Sequence, residues 1–226
     1  MTEGGRHGAG GRTADAETPR PRVILWFDYA CPLCYVDRSR FDELTRRHDV
    51  EVVEVPFELR EALPPEGESA AASGLTHSEH YEQHVVKEAA AHGLAMHLPD
   101  LIPNTHRAFV MGEVARDAGP EMYRRVSDGI FAAYFGDERD IGDADVLLDV
   151  ARATGLDPAA VEAAWGSGRY EQRLHSYRHL ALAMGISATP AALICNELVI
   201  GSRPLKVLEE AVQRCLSEVP SEADER

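Results

Sequence analysis

Two cysteines separated by two residues are the side chains of this sequence best suited to covalent chemistry. Cys31 and Cys34 stand in residues 27–35, FDYACPLCY, and their spacing lets the second sulfur reach the first within one helical turn. A thiolate is the reactive form of cysteine, and a helix N-terminus favours it because unpaired backbone N–H groups and the helix dipole lower a thiol pKa there. The pattern therefore predicts thiol–disulfide exchange, with Cys31 as the exposed nucleophile and Cys34 as the more buried resolving thiol.

The segments around the two cysteines are predicted to place them at such a helix start. Residues 23–27 form an unbroken apolar stretch, which is typical of a buried strand. Residues 33–47 are rich in helix formers, with Phe41 and Leu44 on one side and charged residues on the other. Pro32 lacks a backbone N–H and suits an early helical position, where none is needed. The cysteines thus lie where a strand leads into a helix.

Metal binding and a structural role are the alternatives for a CxxC pattern. A zinc site needs a second pair of ligands, and Cys195 and Cys215 lie too far apart in sequence to supply one. A structural disulfide closing so short a loop would constrain the unfolded chain little. We interpret Cys195 and Cys215 as small buried hydrophobes, or as a regulatory pair if the final strands and helix bring them together.

Three histidines form a second candidate metal site. His77, His80 and His84 lie three and four residues apart, and would share one face of a helix predicted over residues 76–92. The pattern lacks a carboxylate partner, so a solvated helix face is favoured and no metal is predicted.

Composition restricts the class of protein further. The chain has 226 residues, 44% of them hydrophobic, and a formal net charge of −15, which predicts one large domain or a domain with an insertion. Such a charge disfavours binding to nucleic acid and to anionic membranes. Residues 1–21 lack the apolar block of a signal peptide and are predicted to be a disordered tail, and no segment is long enough to span a bilayer. The cytoplasm is the predicted compartment, where disulfides are usually transient and catalytic.

The remaining patterns predict an α/β fold interrupted by a helical insertion. Residues 50–57 form a second strand, which together with the first strand and helix makes a parallel βαβ unit. A long helical stretch follows, in which Asn104 is a plausible N-cap, and a hairpin of strands at 191–195 and 198–200 then precedes a helix over 204–216. The predicted organisation is a four-stranded sheet with helices on both faces, divided as follows: tail 1–21, βαβ half 22–60, helical insertion 61–184, ββα half 185–219, acidic tail 220–226.

With the CxxC pattern and a distant Thr189-Pro190 step, the chain resembles the thioredoxin superfamily. The long insertion resembles the DsbA-like group, and FrnE-type members in particular, through residues 27–35, 103–108 and 185–190, which read FDYACPLCY, PNTHRA and GISATP. The resemblance implies that Cys31 attacks a substrate disulfide and that Cys34 resolves the mixed disulfide. It also implies a cis Pro190 facing the CxxC motif, with Thr189 offering its backbone to an extended substrate segment.

Some residues depart from the family pattern or modulate it. Leu33 stands where the periplasmic members carry a histidine that helps to stabilise the thiolate. Pro32 and Leu33 are expected to contact substrate. Asp28 would raise the thiol pKa if close, or would cap the helix or accept a proton from Cys34. Asp28 and Asn104 are therefore candidate modulators, and the direction of exchange stays open.

The leading hypothesis is a thiol–disulfide oxidoreductase acting on protein or peptide thiols and disulfides. It needs no metal or organic cofactor, with glutathione as a candidate co-substrate and no oligomeric state predicted. One alternative is a glutathione-dependent isomerase or transferase, since kappa-class glutathione transferases and their chromene-carboxylate isomerase relatives share the inserted architecture but usually carry a serine at the catalytic position. The other alternative is a non-catalytic chaperone or binding module.

Overall fold

The central strand of the sheet carries the chain directly into the CxxC motif. A computed structural model describes residues 20–74 and 77–218, so that nearly all of both predicted tails lies outside the described residues. The elements, in chain order, are β1 (Arg22–Phe27), α1 (Pro32–Arg47), β2 (Glu51–Pro56), β3 (Glu68–Ser69), α2 (Glu79–Ala91), β4 (Leu101–Ile102), α3 (His106–Asp117), α4 (Pro120–Phe131), α5 (Ala144–Thr154), α6 (Pro158–Ser167), α7 (Glu171–Ala183), β5 (Ala191–Ile194), β6 (Glu197–Ile200) and α8 (Leu205–Glu218).

The main sheet has four strands in the order β2-β1-β5-β6. β1 runs parallel to β2, with Arg22 opposite Glu51. β1 runs antiparallel to β5, with Trp26 opposite Ala191, and β5 and β6 form a hairpin. The predicted βαβ unit and hairpin are therefore confirmed. Among the described residues, no helix is both long and apolar enough to cross a membrane.

Side chains of β1 alternate between two apolar layers. Val23 and Leu25 face a layer that includes Phe41 and Leu44 of α1 together with residues of α8. Trp26 faces the opposite layer, with Ala181 of α7 and with Phe57, Ile186 and Ala191. A central strand covered on both faces needs apolar residues at every position, which is why β1 reads as a continuous apolar run.

An aromatic cluster joins the end of β1 and the start of α1 to the helical insertion. Phe27 contacts the ring of Phe109 in α3 at 5.6 Å between centroids. Tyr35 of α1 stacks on Phe131 and Phe135 at 5.4 and 5.5 Å. These rings are buried, so the insertion shares a core with the segment that carries the cysteines.

The insertion contains one short ladder besides its helices. β3 and β4 pair antiparallel over two residues each, too few for an alternating pattern to be recognised in the sequence. Gly67, at φ +69°, precedes β3, and a side chain there would collide with the carbonyl oxygen of Ile102. Glycine is therefore required where the two backbones approach.

Two of the predicted helices, over residues 76–92 and 204–216, have different bounds in the structure. α2 begins at Glu79 because Ser78 is its N-cap, accepting a hydrogen bond from the Tyr81 N–H at 3.2 Å. α4 begins at Pro120 and continues as a π-helical turn over Ala132–Gly136. α8 begins at Leu205 and extends to Glu218.

The two distant cysteines form a pair. β5 ends at Ile194, so Cys195 lies in the hairpin turn rather than in the strand, at φ +53°. Cys195 is bonded to Cys215 of α8, with their Cα atoms 5.9 Å apart. The interpretation of these residues as separate buried hydrophobes is therefore wrong, and the alternative, that the final strands and helix bring the two cysteines together, is the one that the structure shows.

One arginine ties the sheet to the insertion. Arg38 of α1 binds both carboxylate oxygens of Glu54 in β2 at 2.7 and 2.8 Å. It also donates to Ser127 Oγ at 2.9 Å and to Asp128 at 2.7 Å, both in α4. The side chains of Arg38 and Glu54 are only 13% and 15% exposed, so the pair is largely shielded from water.

Arg38→Met should lower the free energy of unfolding by about 3 kcal/mol, because it leaves the Glu54 carboxylate buried without its partner. Arg124→Met is the matched control, since Arg124 pairs with Asp42 where both side chains are exposed, at 55% and 42%. Its loss should stay below about 1 kcal/mol. Urea denaturation of both variants measures the difference, and equal losses would contradict this account.

Candidate active site

Cys31 occupies the N-cap position of α1. A turn follows β1, in which the Cys31 N–H donates to the Asp28 carbonyl at 3.0 Å. The Cys31 sulfur accepts a hydrogen bond from the Cys34 N–H at 3.4 Å, and the Cys31 carbonyl accepts from Cys34 and Tyr35 at 3.1 and 3.3 Å. The sulfur therefore lies at the N-terminal end of α1, beside the backbone of its first turn.

The Thr189-Pro190 step lies against the same sulfur. Its peptide bond is cis, as predicted, and Pro190 is buried. The Cys31 thiol donates to the Thr189 carbonyl at 3.4 Å, although the two residues are 158 positions apart in the chain. The antiparallel pairing of β1 with β5 accounts for this contact, because the end of β1 lies beside the start of β5.

The two thiols differ less in solvent exposure than the sequence predicts. Cys31 is 6% exposed and Cys34 is 1% exposed, so the description of Cys31 as an exposed residue is wrong. The difference lies in what each sulfur faces, since Cys31 lines a cavity and Cys34 lies behind it. Burial raises the pKa of Cys34 well above its usual value, and contact with Cys31 raises it further, whereas the nearby Thr189 hydroxyl and Asp28 backbone lower it.

The cavity onto which Cys31 opens has a volume of about 720 Å³. Pro32 and Leu33 of α1 form one side of it, and Thr189 lies at the same end. The insertion contributes to the lining through α2, the segment around β4 and the π-helical turn. This volume is in the range of small-molecule and cofactor sites. Four predicted site residues thus meet at one cavity, and Pro190 lies buried beside it.

Asp28 also lines this cavity, at 2% exposure. Its carboxylate accepts hydrogen bonds from the Ala30 N–H at 2.9 Å and from the Leu59 N–H at 2.7 Å. Burial raises the pKa of Asp28 from 3.8 to about 6 despite these bonds, and the charge of Glu58 adds to the rise. Asp28 therefore braces the turn before Cys31 and changes charge near neutral pH.

Asn104 lies away from the sulfurs and lines a neighbouring cavity of about 580 Å³. Its side chain donates to the Leu63 carbonyl at 2.7 Å and accepts from the His106 N–H at 3.0 Å. The N-cap of α3 is Thr105, one residue later than predicted. Asn104 is thus a brace between a loop and a helix start.

The same neighbouring cavity holds an ion cluster that the sequence analysis missed. His106 is held between Glu58 at 2.7 Å and Glu171 at 3.0 Å. The hydrogen bond with Glu58 is the main reason that the pKa of His106 rises to about 9. No local pattern signals this cluster, because its members come from three separate segments.

The histidine motif is split by the start of α2. His77 precedes this helix, whereas His80 and His84 lie within it. Within residues 20–74 and 77–218, no three His, Cys, Asp or Glu side chains group as metal ligands. His77 instead stacks on Tyr81, with 4.7 Å between ring centroids, and both line the cavity of Cys31.

Asp28→Asn should change how stability depends on pH. A carboxyl whose pKa is raised on folding from 3.8 to about 6 contributes stability that is complete below pH 3.8 and lost as the pH rises through 6. The variant lacks this loss, so its unfolding free energy relative to the wild type should rise by about 2 kcal/mol between about pH 4 and pH 7.

Asparagine offers one acceptor oxygen, so one of the two N–H donors loses its partner at a pH-independent cost of about 1 kcal/mol. The informative quantity is therefore the slope of the stability difference, measured by denaturation across the pH range. Asp157→Asn, at the exposed N-cap of α6, controls for the loss of one negative charge. A difference that stays constant with pH would refute the assignment.

Comparison with known proteins agrees with this geometry. Residues 22–213 match the family described as DSBA-like thioredoxin domain. The uncharacterized protein YwbO from Bacillus subtilis (strain 168) is 28% identical over 195 residues, covering 84% of this chain and 94% of YwbO. The crystal structure of a probable DsbA oxidoreductase, SCO1869, from Streptomyces coelicolor superposes with a TM-score of 0.81 at 26% identity, covering 89% of this chain and 92% of that one.

A more distant structure shares the fold alone. The cytosolic disulfide reductase DsbM from Pseudomonas aeruginosa, with GSH, has a TM-score of 0.63 at 16% identity and covers 87% of this chain and 99% of its own. The match over residues 22–213, the thioredoxin-like sheet with its helical insertion, and the CxxC motif facing a cis-proline lead to one assignment: the chain belongs to the DSBA-like thioredoxin domain family.

Proposed function

We propose that the chain is a thiol–disulfide oxidoreductase that exchanges disulfides with protein or peptide substrates through Cys31 and Cys34. One observation carries the proposal: the Cys31 sulfur lies between the first turn of α1 and the Thr189 carbonyl, and opens onto a cavity of about 720 Å³. A substrate sulfur that enters this cavity meets Cys31 first, with Cys34 behind it.

The exchange consists of two displacements. The Cys31 thiolate attacks a substrate disulfide, so a bond forms between Cys31 and one substrate sulfur, and the other sulfur leaves as a thiolate that takes a proton from water. Cys34 then loses its proton and attacks Cys31. The Cys31–Cys34 bond forms, the mixed disulfide breaks, and the second substrate thiol leaves. The substrate gains two electrons and the chain becomes oxidised, while the reverse sequence oxidises a substrate dithiol.

The surrounding residues have distinct roles in this proposal. Pro32 and Leu33 form the wall along which the substrate lies, and Thr189 offers its backbone to an extended substrate segment. Pro190 keeps that segment beside Cys31. Asp28, with a pKa of about 6, changes charge in the cavity over the physiological range and is the candidate acceptor for the Cys34 proton. Asn104 acts indirectly, by bracing the start of α3.

The proposal extends to the FrnE-type subgroup, a cytoplasmic location, and exchange that uses no metal or organic cofactor. Three stretches support the subgroup: residues 27–35, 103–108 and 185–190. The fold shared with a cytosolic disulfide reductase supports the compartment. The Cys195–Cys215 bond is the observation that favours an oxidising compartment instead, because reducing cytoplasm keeps most thiols reduced.

Glutathione is the second candidate substrate. The cavity is large enough for a tripeptide, and the structure of DsbM with GSH belongs to a protein of this fold. A glutathione-dependent isomerase of the kappa-class type would work without a resolving thiol. Turnover of an aromatic substrate by Cys34→Ser in the presence of glutathione would therefore favour that activity over disulfide exchange.

Replacement of either sulfur should separate the two displacements. Cys31→Ser should lower the rate of insulin reduction by more than about 100-fold, because a serine hydroxyl is not ionised at neutral pH and forms no disulfide. Cys34→Ser should accumulate a mixed disulfide between Cys31 and the substrate, detected by mass spectrometry under non-reducing conditions.

The double variant Cys195→Ser/Cys215→Ser is the matched control, since it removes two sulfurs far from the cavity and should keep the exchange rate. Full activity in Cys31→Ser would refute the mechanism. Holdase activity that survives loss of both Cys31 and Cys34, without any exchange activity in the wild type, would instead identify a binding module.

A further inference from the structure

An arginine of the loop after β2 lines the cavity onto which Cys31 opens. Arg60 is half-buried, and among the described residues that line this cavity it is the only lysine or arginine. The residue before it is fixed to the turn of the motif, because the Leu59 N–H donates to the Asp28 carboxylate at 2.7 Å. The Asp28 carbonyl accepts from the Cys31 N–H at 3.0 Å. The backbone of Arg60 is therefore anchored close to the start of α1.

The acidic neighbours of Arg60 on its own loop are bound to other cations. Glu58 pairs with His106 at 2.7 Å, and Glu61 pairs with Arg178 at 3.0 Å. All four of these side chains line the neighbouring cavity of about 580 Å³, whereas Arg60 lines the cavity of the cysteines. In the part of the chain that the structure describes, Arg60 forms neither an ion pair nor a side-chain hydrogen bond. Its guanidinium is therefore available to a ligand.

The other charged side chains that line the cavity of the cysteines do not pair with Arg60. The carboxylate of Asp28 accepts from two backbone N–H groups. The ring of His77 is stacked on an aromatic ring of α2. Glu82 and Asp100 belong to the insertion and are exposed, so water screens their charges. The cavity thus combines one half-buried, unpaired guanidinium with two solvated carboxylates.

This combination of charges favours one substrate chemistry. An arginine binds a carboxylate through two parallel hydrogen bonds, and charge-assisted bonds of this kind are about twice as strong as bonds between neutral groups. Disulfides derived from cysteine carry a carboxylate a few bonds from the sulfur, together with an ammonium group that suits the exposed carboxylates. A volume of about 720 Å³ has room for a molecule of this size.

We propose that Arg60 determines substrate choice by binding the carboxylate of a disulfide whose sulfur reacts with Cys31. The reduced chain gives two electrons to that disulfide: its S–S bond breaks, the Cys31–Cys34 bond forms, and the two cysteine protons leave with the two thiol products. No bond to Arg60 forms or breaks. The inference rests on the proposed function, and it adds a substrate class and the residue that recognises it.

Arg60→Gln tests the inference with three disulfides of similar length, since dithiodipropionate is an anion, hydroxyethyl disulfide is neutral and cystamine is a cation. Each is mixed with the reduced protein, and the loss of free thiols at Cys31 and Cys34 is followed by alkylation and mass spectrometry. The ratio of the rate constant for the anion to that for the neutral disulfide should fall about tenfold, because a charge-assisted contact is lost. The corresponding ratio for the cation should rise.

Three further variants complete the test. Arg60→Lys keeps the charge and should recover most of the lost ratio. Arg60→Ala covers the event that Arg60→Gln alters the fold, which circular dichroism would show, and should give the same fall. Arg152→Gln is the matched control, because Arg152 pairs with Asp149 on α5 where both side chains are exposed. It should leave both ratios within about twofold.

Two larger disulfides distinguish the sources of the carboxylate. Oxidised glutathione represents a free tripeptide, and the disulfide of acetyl-Glu-Cys-amide represents a protein segment; a fall with either, relative to hydroxyethyl disulfide, supports the inference and identifies the source. A folded Arg60→Gln with unchanged ratios, or an equal loss of rate with all of the disulfides, would overturn the inference and leave the proposed function intact. Wild-type thiols that no disulfide oxidises would instead show that the proposed function itself fails.

Discussion

The contact between the Cys31 sulfur and the Thr189 carbonyl is the constraint on which the rest of the structure depends. It joins residues 158 positions apart, and it exists only because β1 and β5 run antiparallel, with Trp26 opposite Ala191. The chain leaves β1 toward the cysteines at the same edge of the sheet at which the Thr189-Pro190 step enters β5. The two apolar layers on either side of β1 hold that register, because a shift by one residue would move Trp26 into the wrong layer.

The two thiols of the site have different surroundings. Cys34 is desolvated, so its neutral thiol is favoured, whereas the Cys31 sulfur accepts from the Cys34 N–H and opens to the cavity. Asp28 is kept near the sulfurs by two backbone N–H groups, one of which belongs to the loop after β2. The insertion contributes to the lining of the cavity and is fastened to the sheet by the Phe27 and Tyr35 rings and by Arg38. The sheet, the CxxC motif and the insertion are therefore packed firmly against one another.

Patterns in the sequence were sufficient to predict the strands and helix starts that are determined by residues close together in the chain. The apolar run of β1 and the start of α1 at the CxxC motif lie where the sequence predicts them. The lining of the cavity could not be predicted in this way, because Tyr81 and His77 line it together with Cys31 only once α2 has packed on α1. The pairing of Cys195 with Cys215 depends likewise on a turn whose left-handed residue is not a glycine. The burial of Cys31 is a property of the assembled cavity, and its place before a helix does not reveal it.

The most direct test of the central claim is a redox titration of Cys31 and Cys34 in glutathione buffers, with alkylation and mass spectrometry of the two cysteines at each potential. The account predicts one two-electron transition in which both thiols disappear together and a disulfide between them appears. Its midpoint, relative to the glutathione couple, also gives the direction of exchange. Two thiols that stay free, or that are modified independently across the whole range, would contradict the account.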